Sequence, residues 1–157
     1  MRPAVILLSG GLDSATCLAW ARREGFAAHA LTIRYGQRHE LEIERAAAVA
    51  RECGAASHRI VTIDLSFLSG SALTDRRVEV PKSRSQTEIG SGVPSTYVPA
   101  RNTLFLALAM AWGESLGARD LVIGVNAVDY SGYPDCRPEF LSAFEALAAC
   151  GTKAGAR

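Results

Sequence analysis

The chain has 157 residues, of which 48% are hydrophobic and 21% are charged. This length and composition predict one globular domain with its own core and exclude a disordered chain. Its 17 Lys and Arg against 16 Asp and Glu leave a formal charge of +1, which gives no support to a nucleic-acid-binding or membrane-binding protein. Four scattered cysteines without a Cys-x-x-Cys pair predict reduced thiols in a cytoplasmic protein.

Predicted strands and helices alternate along the chain. Short apolar runs predict strands over 3–8, 29–35, 59–64 and 120–125. Apolar residues at helical spacing predict helices over 13–24, 40–53, 102–117 and 138–151. The alternation predicts a doubly wound α/β fold, a mostly parallel sheet with helices on both faces. In such sheets ligands bind beyond the carboxyl ends of the strands, so we expect the functional residues there.

All four predicted helices carry residues at helical spacing that we expect to face the core, among them Ala19 in the first, Leu41 in the second and Leu147 in the fourth. In the third helix these residues form an apolar stripe that comprises Leu104, Phe105, Leu108, Ala109, Trp112 and Leu116. Residues 65–99 break the regular pattern, because they are rich in Gly, Pro, Ser and Thr. A stretch of that length predicts a long loop or lid within the single domain 1–157.

The segment Ser9-Gly10-Gly11-Leu12-Asp13-Ser14 lies between the first strand and the first helix. Two glycines allow a tight turn close to an anion, and the N–H groups of the following helix point towards that anion. The plain alternative is a strand–helix turn with a Ser or Asp cap. The complete hexapeptide in this position favours phosphate binding, although it is neither a Walker loop nor a Gly-x-Gly-x-x-Gly motif.

Two further segments follow predicted strands or begin predicted helices. His39, after the second strand, is more often a surface or capping residue than a catalytic one. Asn102 is a candidate N-cap of the third helix. Its neighbour Arg101 is unfavourable at the positive end of a helix dipole unless an anion is present, which favours a phosphate or carboxylate ligand there.

The loop over residues 129–137 combines two tyrosines, two aspartates and an arginine. Its plain interpretation is a Gly- and Pro-containing turn before a helix. The same residues also suit a pocket for a flat polar heterocycle, with Tyr130, Ser131, Tyr133, Asp135 and Arg137 as the candidates. Cys136 is predicted as pocket wall, with a nucleophilic role as the minority alternative.

Taken together, the Ser9–Ser14 motif, Tyr35 to His39, Ser71 to Thr74, Val98 to Asn102 and Asp129 to Arg137 resemble the 7-cyano-7-deazaguanine synthase family. This family belongs to the PP-loop ATP pyrophosphatases, and the resemblance covers nearly the whole chain. The first motif is shared across the superfamily, whereas the last is more specific and decides the family.

The resemblance implies an ATP-dependent ligase of queuosine biosynthesis. Such an enzyme adenylates 7-carboxy-7-deazaguanine, forms an amide with ammonia, and uses a second ATP to form the nitrile. It implies ATP and Mg²⁺ as cofactors, Asp13, Ser14 and Arg101 as catalytic residues, and Asp13 on the magnesium side. The implied nucleotide site comprises Leu8, Ser9, Gly10, Gly11, Leu12, Asp13, Ser14, Ile33 and Arg101.

The sequence departs from the family pattern at its end. Members continue further and carry a zinc-binding cysteine cluster, for which Cys17, Cys53, Cys136 and Cys150 cannot substitute. We therefore expect the chain to be an N-terminal portion without the zinc site. The resemblance leaves a homodimer open. Two alternatives stay open as well: another PP-loop enzyme for tRNA thiolation or synthetase-type amidation, and an inactive ATP-binding fragment.

Overall fold

The computed structural model describes residues 1–36, 41–68, 97–126, 132–153 and 155. Four strands form one sheet: β1 (Pro3–Leu7), β2 (Ala27–Arg34), β3 (Ser57–Thr62) and β4 (Asp120–Val122). Four α-helices accompany them: α1 (Leu12–Arg23), α2 (Leu41–Glu52), α3 (Arg101–Leu116) and α4 (Pro138–Gly151). No helix in these ranges is long and apolar enough to cross a membrane.

The sheet has the order β3-β2-β1-β4, and each of the three pairings is parallel. The first two crossovers extend the sheet to one side of β1, whereas β4 joins on the other side. The loops after β1 and β4 therefore border the crevice where the winding direction changes, which is where open α/β sheets bind ligands.

Helices cover both faces of the sheet, as the alternating pattern predicted. Ala4, Ile6 and Leu8 pack with α1 and α2 on one face, while Val5 and Leu7 pack with α3 and α4 on the other. Because both faces of β1 are covered, its side chains are apolar at successive positions rather than alternating. The doubly wound α/β fold is thus confirmed.

The helix positions were predicted well, but parts of their buried faces were not. In α3 the buried positions are Asn102, Leu106, Ala109 and Gly113, whereas Leu104 is 38% exposed. A Cβ at Gly113 would lie only 3.4 Å from the Leu121 side chain, so small residues bring α3 close to the sheet. The other five residues of the predicted stripe are buried or packed against the core cluster, so helical spacing found most of the contact face.

Three other residues predicted on buried stripes are exposed: Ala19 in α1, Leu41 in α2 and Leu147 in α4. The N-terminus of α4 is as predicted, with Pro138 in its first turn.

Most of the predicted loop 65–99 lies outside the described residues, so the lid remains a prediction. The two ends of this segment belong to the core, because Leu65 is 4% exposed and Val98 is 1% exposed. Both side chains join the cluster between the sheet and α3.

Candidate active site

Hydroxyl groups hold the Ser9–Ser14 loop in shape. The Ser9 N–H donates to Ser14 Oγ at 3.2 Å, and Ser14 Oγ donates to the Gly11 carbonyl at 2.9 Å. The two hydroxyl oxygens are 3.1 Å apart, and the Gly11 N–H donates to Ser9 Oγ at 3.3 Å. Ser14 is buried and Ser9 is exposed. Ser14 thus supports the turn from inside, while Ser9 faces the solvent side where a ligand would arrive.

Gly10 seats this loop against the start of α2. Its backbone has φ +87°, a conformation that side chains rarely adopt. A Cβ at Gly10 would lie 2.6 Å from the Glu42 carbonyl oxygen and 2.8 Å from the Ala46 nitrogen. Both neighbours are backbone atoms that cannot move aside easily. A glycine is therefore required at this position by backbone conformation and by space.

The N-terminus of α1 is open to an anion. Gly11 is its N-cap residue, and no side chain in the described part of the chain caps it. The N–H groups of a first helical turn and the helix dipole together favour negative charge. This open N-terminus agrees with the predicted phosphate-binding turn, which stays a prediction.

Asp13 lies in the first turn of α1, next to the segment that follows β4. Its Oδ2 accepts a hydrogen bond from Asn126 Nδ2 at 3.2 Å, and its side chain is exposed. A Cβ at Gly124 would be 3.0 Å from the Asp13 carbonyl carbon, so the two segments touch through their backbones. These contacts bring Asn126 and the Ser9–Ser14 loop together at the carboxyl edge of the sheet.

A second helix N-terminus carries Arg101. The preceding residue, Ala100, has φ 53° and ψ 25°, a left-handed conformation unusual for alanine. Arg101 Nη1 donates to the Tyr35 hydroxyl at 3.4 Å, and its guanidinium carbon lies 6.0 Å from the Phe105 ring centre. Burial opposes the charge, but interactions with Tyr35, Asp135 and Cys136 raise the pKa of Arg101 overall. The side chain therefore stays cationic.

Asn102 is not the N-cap of α3, contrary to one prediction, because the helix already begins at Arg101. Its backbone N–H donates to Asp135 Oδ2 at 2.9 Å. Its side-chain Nδ2 donates to the Asp135 carbonyl at 2.8 Å and contacts Cys136 Sγ at 3.3 Å. Asp135, predicted to bind substrate, is 6% exposed and supplies the carboxylate at this helix end. The anion that Arg101 required at the helix N-terminus is thus present within the protein itself.

A pocket of about 420 Å³ lies between the two helix N-termini. Eight of the predicted site residues line it: Leu8, Ser9, Gly10, Gly11, Ser14, Ile33, Arg101 and Tyr133. Cys136, predicted as pocket wall, also lines it and is 5% exposed.

Other predicted site residues are not part of this wall. Leu12 is 82% exposed, and Asp13, Asp135 and Arg137 do not line the pocket. Arg137 is exposed and precedes α4. Tyr130, Ser131 and His39 lie outside the described residues.

Several lining residues were not predicted as site residues, among them Thr32, Tyr35, Glu42, Arg45 and Phe105. Two of them carry a signal in the sequence. Thr32 is a polar residue inside an apolar strand, and Tyr35 directly follows the carboxyl end of β2. The others come from helix faces that only the folded chain brings to the pocket.

No group of three or more His, Cys, Asp or Glu side chains that could hold a metal occurs in the part of the chain that the structure describes. A single carboxylate does fit a magnesium ion that is also bound by phosphates, because Mg²⁺ commonly uses one or two carboxylates and keeps several waters. Asp13 is exposed beside the open helix N-terminus and meets that requirement.

Comparison with known proteins agrees with this architecture. The family model described as "Queuosine biosynthesis protein QueC" matches residues 3–156. The chain is 63% identical over 152 residues to the 7-cyano-7-deazaguanine synthase of Anaeromyxobacter sp. (strain Fw109-5), covering 97% of this chain and 65% of that protein. The chain thus spans just under two thirds of the length of this relative. It belongs to the QueC family.

Two solved structures share the fold at low sequence identity. A predicted subunit of tRNA methyltransferase from Methanocaldococcus jannaschii has a TM-score of 0.57 and 18% identity, covering 94% of this chain and 64% of that one. A 4-thiouridine synthetase, solved with RNA and bound ATP, has a TM-score of 0.55 and 22% identity. The match covers 93% of this chain and 34% of that one. At these identities the likeness concerns the fold alone.

Proposed function

We propose that this chain carries the nucleotide and substrate sites of an ATP-dependent ligase that makes 7-cyano-7-deazaguanine from 7-carboxy-7-deazaguanine and ammonia. Membership of the QueC family and the identity to curated 7-cyano-7-deazaguanine synthases support the reaction. The observation that carries the proposal is a single pocket whose wall includes the Ser9–Ser14 loop, Arg101, Tyr133 and Cys136. A phosphate-binding turn and the segment expected to bind the deazaguanine thus share one cavity.

The chemistry requires two adenylation steps. A carboxylate is a poor electrophile, so ATP first transfers its adenylyl group to the carboxylate oxygen, with release of pyrophosphate. Ammonia then displaces AMP and leaves an amide. A second ATP adenylates the amide oxygen, and loss of AMP together with the amide protons gives the nitrile.

The described residues suggest roles in these steps. Backbone N–H groups at the start of α1 would hold the departing pyrophosphate, with Ser9 and Ser14 shaping the loop. Arg101 is cationic and lines the pocket, so it would stabilise the charge that develops on the phosphate or carboxylate oxygens. The aromatic ring of Tyr133 offers a face for the flat heterocycle.

Asp13 is the residue that would hold magnesium. When bound, the ion would reduce the charge repulsion between the carboxylate and the phosphates. Asn126 donates to one carboxylate oxygen of Asp13 and so fixes the direction of the other. We place the reaction in the cytoplasm, which the free thiols of all four cysteines favour.

The test is incubation of the chain with ATP, Mg²⁺, ammonia and 7-carboxy-7-deazaguanine, followed by mass spectrometry. We expect AMP, pyrophosphate and a nitrile product, all dependent on the added carboxylate. The Asp13→Asn variant, which keeps the shape of the side chain, serves as the control for background hydrolysis.

The other outcomes identify the alternatives. AMP that forms only with a different carboxylate or with tRNA would show another PP-loop enzyme. Tight ATP binding without AMP would show a nucleotide-binding fragment. Sedimentation of the same sample would test whether the chain forms a homodimer.

A further inference from the structure

A short chain of hydrogen bonds connects β3 to the beginning of the Ser9–Ser14 loop. Thr32 Oγ1 donates to the Leu8 carbonyl at 2.7 Å and lies 2.8 Å from His58 Nε2. Thr32 belongs to β2, His58 to β3, and Leu8 follows β1 directly. Since Thr32 is 1% exposed, water does not compete effectively for these bonds.

The two hydrogen-bond contacts of the Thr32 hydroxyl determine which atoms carry the protons. A threonine hydroxyl has one proton to donate, and a carbonyl oxygen can only accept. At 2.7 Å the proton must lie between Thr32 Oγ1 and the Leu8 oxygen, because two facing lone pairs would repel. The second contact of Thr32 is then an accepted bond, so His58 Nε2 must carry a proton. Burial lowers the pKa of His58, which favours the neutral ring with Nδ1 unprotonated.

These bonds act on the peptide group that leads into the loop. The carbonyl of the Leu8–Ser9 peptide accepts from Thr32, and the N–H of the same peptide donates to Ser14 Oγ at 3.2 Å. The peptide plane is therefore fixed from both sides. A change in this plane would turn the N–H groups of the residues that follow it.

We propose that Thr32 and His58 are positioning residues for the phosphate loop, with His58 held in its Nε2–H form. Thr32 is a pocket residue whose hydroxyl is already used within the protein, so it acts on the ligand through the loop rather than by direct contact. The inference rests on the proposed function only for the identity of the ligand. The hydrogen-bond chain itself is a property of the protein alone.

A matched control lies on the opposite face of the same two strands. His29 Nδ1 is 2.8 Å from Ser57 Oγ, and the His29 ring packs edge-on against Trp112 with ring centres 6.0 Å apart. This pair has the same length and spans the same strands as the Thr32–His58 pair. It does not lead to the loop, so its removal should leave the loop unchanged.

The first experiment measures the ring nitrogens of His58 by ¹⁵N NMR on the full chain. We expect a protonated-type shift at Nε2 and an unprotonated-type shift at Nδ1 near neutral pH. The opposite tautomer would overturn the proton assignment and the proposal with it. The signals of His29, recorded in the same spectrum, control for the assignment method.

The second experiment measures the Kd for Mg-ATP by calorimetry. Thr32→Val should weaken binding about fivefold, whereas Thr32→Ser, which keeps the hydroxyl, should stay within about twofold. His58→Leu should weaken binding about threefold, His58→Gln should restore most of it, and His29→Leu should leave it unchanged. Equal Kd values for Thr32→Val and the unmodified chain would overturn the proposal.

A third measurement separates this inference from the proposed function. If the chain binds no ATP, the function fails, but hydrogen exchange of the Ser9 amide still reports on the loop. Thr32→Val should exchange this amide faster, and His29→Leu should not. Unchanged exchange in Thr32→Val would overturn the inference. If Thr32→Val does not fold, the comparison of His58→Leu with His58→Gln and the His58 tautomer still decide it.

Discussion

The two helix N-termini at the pocket are built in opposite ways. The start of α1 has no side-chain cap among the described residues, and its loop is held by hydroxyls only a few residues apart. The start of α3 is closed by the Asp135 carboxylate, which lies 33 residues further along the chain. The first end is therefore available to a ligand anion, whereas the second already has a protein anion. The comparison shows that an arginine at a helix N-terminus does not by itself indicate a ligand site.

The largest effect should follow from removing the charge of Asp13 at the open end. Asp13→Ala should reduce AMP formation by about 100-fold or more, because the magnesium ion that would neutralise the developing phosphate charge loses its carboxylate ligand. The free energy of unfolding should stay within about 0.5 kcal/mol, since Asp13 is exposed. Rates and urea denaturation of the same preparations check both parts. Full activity in Asp13→Asn would refute a role for the charge.

Gly10→Ala should distort the loop that leads into the open N-terminus of α1. The added methyl would meet two backbone atoms of α2 at 2.6 and 2.8 Å and would hold a left-handed conformation. We expect a loss of about 3 kcal/mol in the free energy of unfolding. Gly25→Ala is the control, because Gly25 has φ +82° with nothing within 4 Å and should cost about 1 kcal/mol. Equal losses in the two variants would show that the loop is not packed tightly against α2.

Asp135→Ala should remove the carboxylate that closes the N-terminus of α3. It leaves the buried Asn102 N–H without its acceptor, which should lower the free energy of unfolding by about 2 kcal/mol. Asp64→Ala removes a bond of the same kind, because Asp64 Oδ1 accepts from the Ser66 N–H at 2.9 Å. Asp64 is exposed, so water replaces that bond and the loss should be smaller. Denaturation curves that rank the two variants the other way would contradict the assigned role of Asp135.

Ala100→Gly should have the smallest effect and the opposite sign. Glycine removes the strain at φ 53° but gains freedom in the unfolded chain, for a net stabilisation of about 0.5 kcal/mol. Ala19→Gly on the exposed face of α1 is the control and should destabilise by about 1 kcal/mol. Calorimetric melting of both variants checks the signs. Destabilisation by Ala100→Gly would show that the left-handed conformation is not strained.

Local features of the chain were predictable because the responsible residues are neighbours in sequence. The apolar runs gave the strands, Gly10 and Gly11 gave the turn, and Pro138 marked the start of α4. Most of the core-facing side of α3 was predicted, because five of the six stripe residues pack on the core and only Leu104 is exposed. The spacing did not identify buried Gly113, because glycine has no apolar side chain that would mark the face.

The sequence by itself determined the doubly wound fold, the tight Gly10–Gly11 turn and the family resemblance. Each of these depends on a contiguous motif or on the period of the apolar residues. Only the tertiary structure decided that Asp135 closes α3, that Asn102 is not a cap, and that Thr32 connects His58 to the loop. The physical reason is that these bonds join residues 24 to 33 positions apart, whose directions are set by how the strands and helices pack.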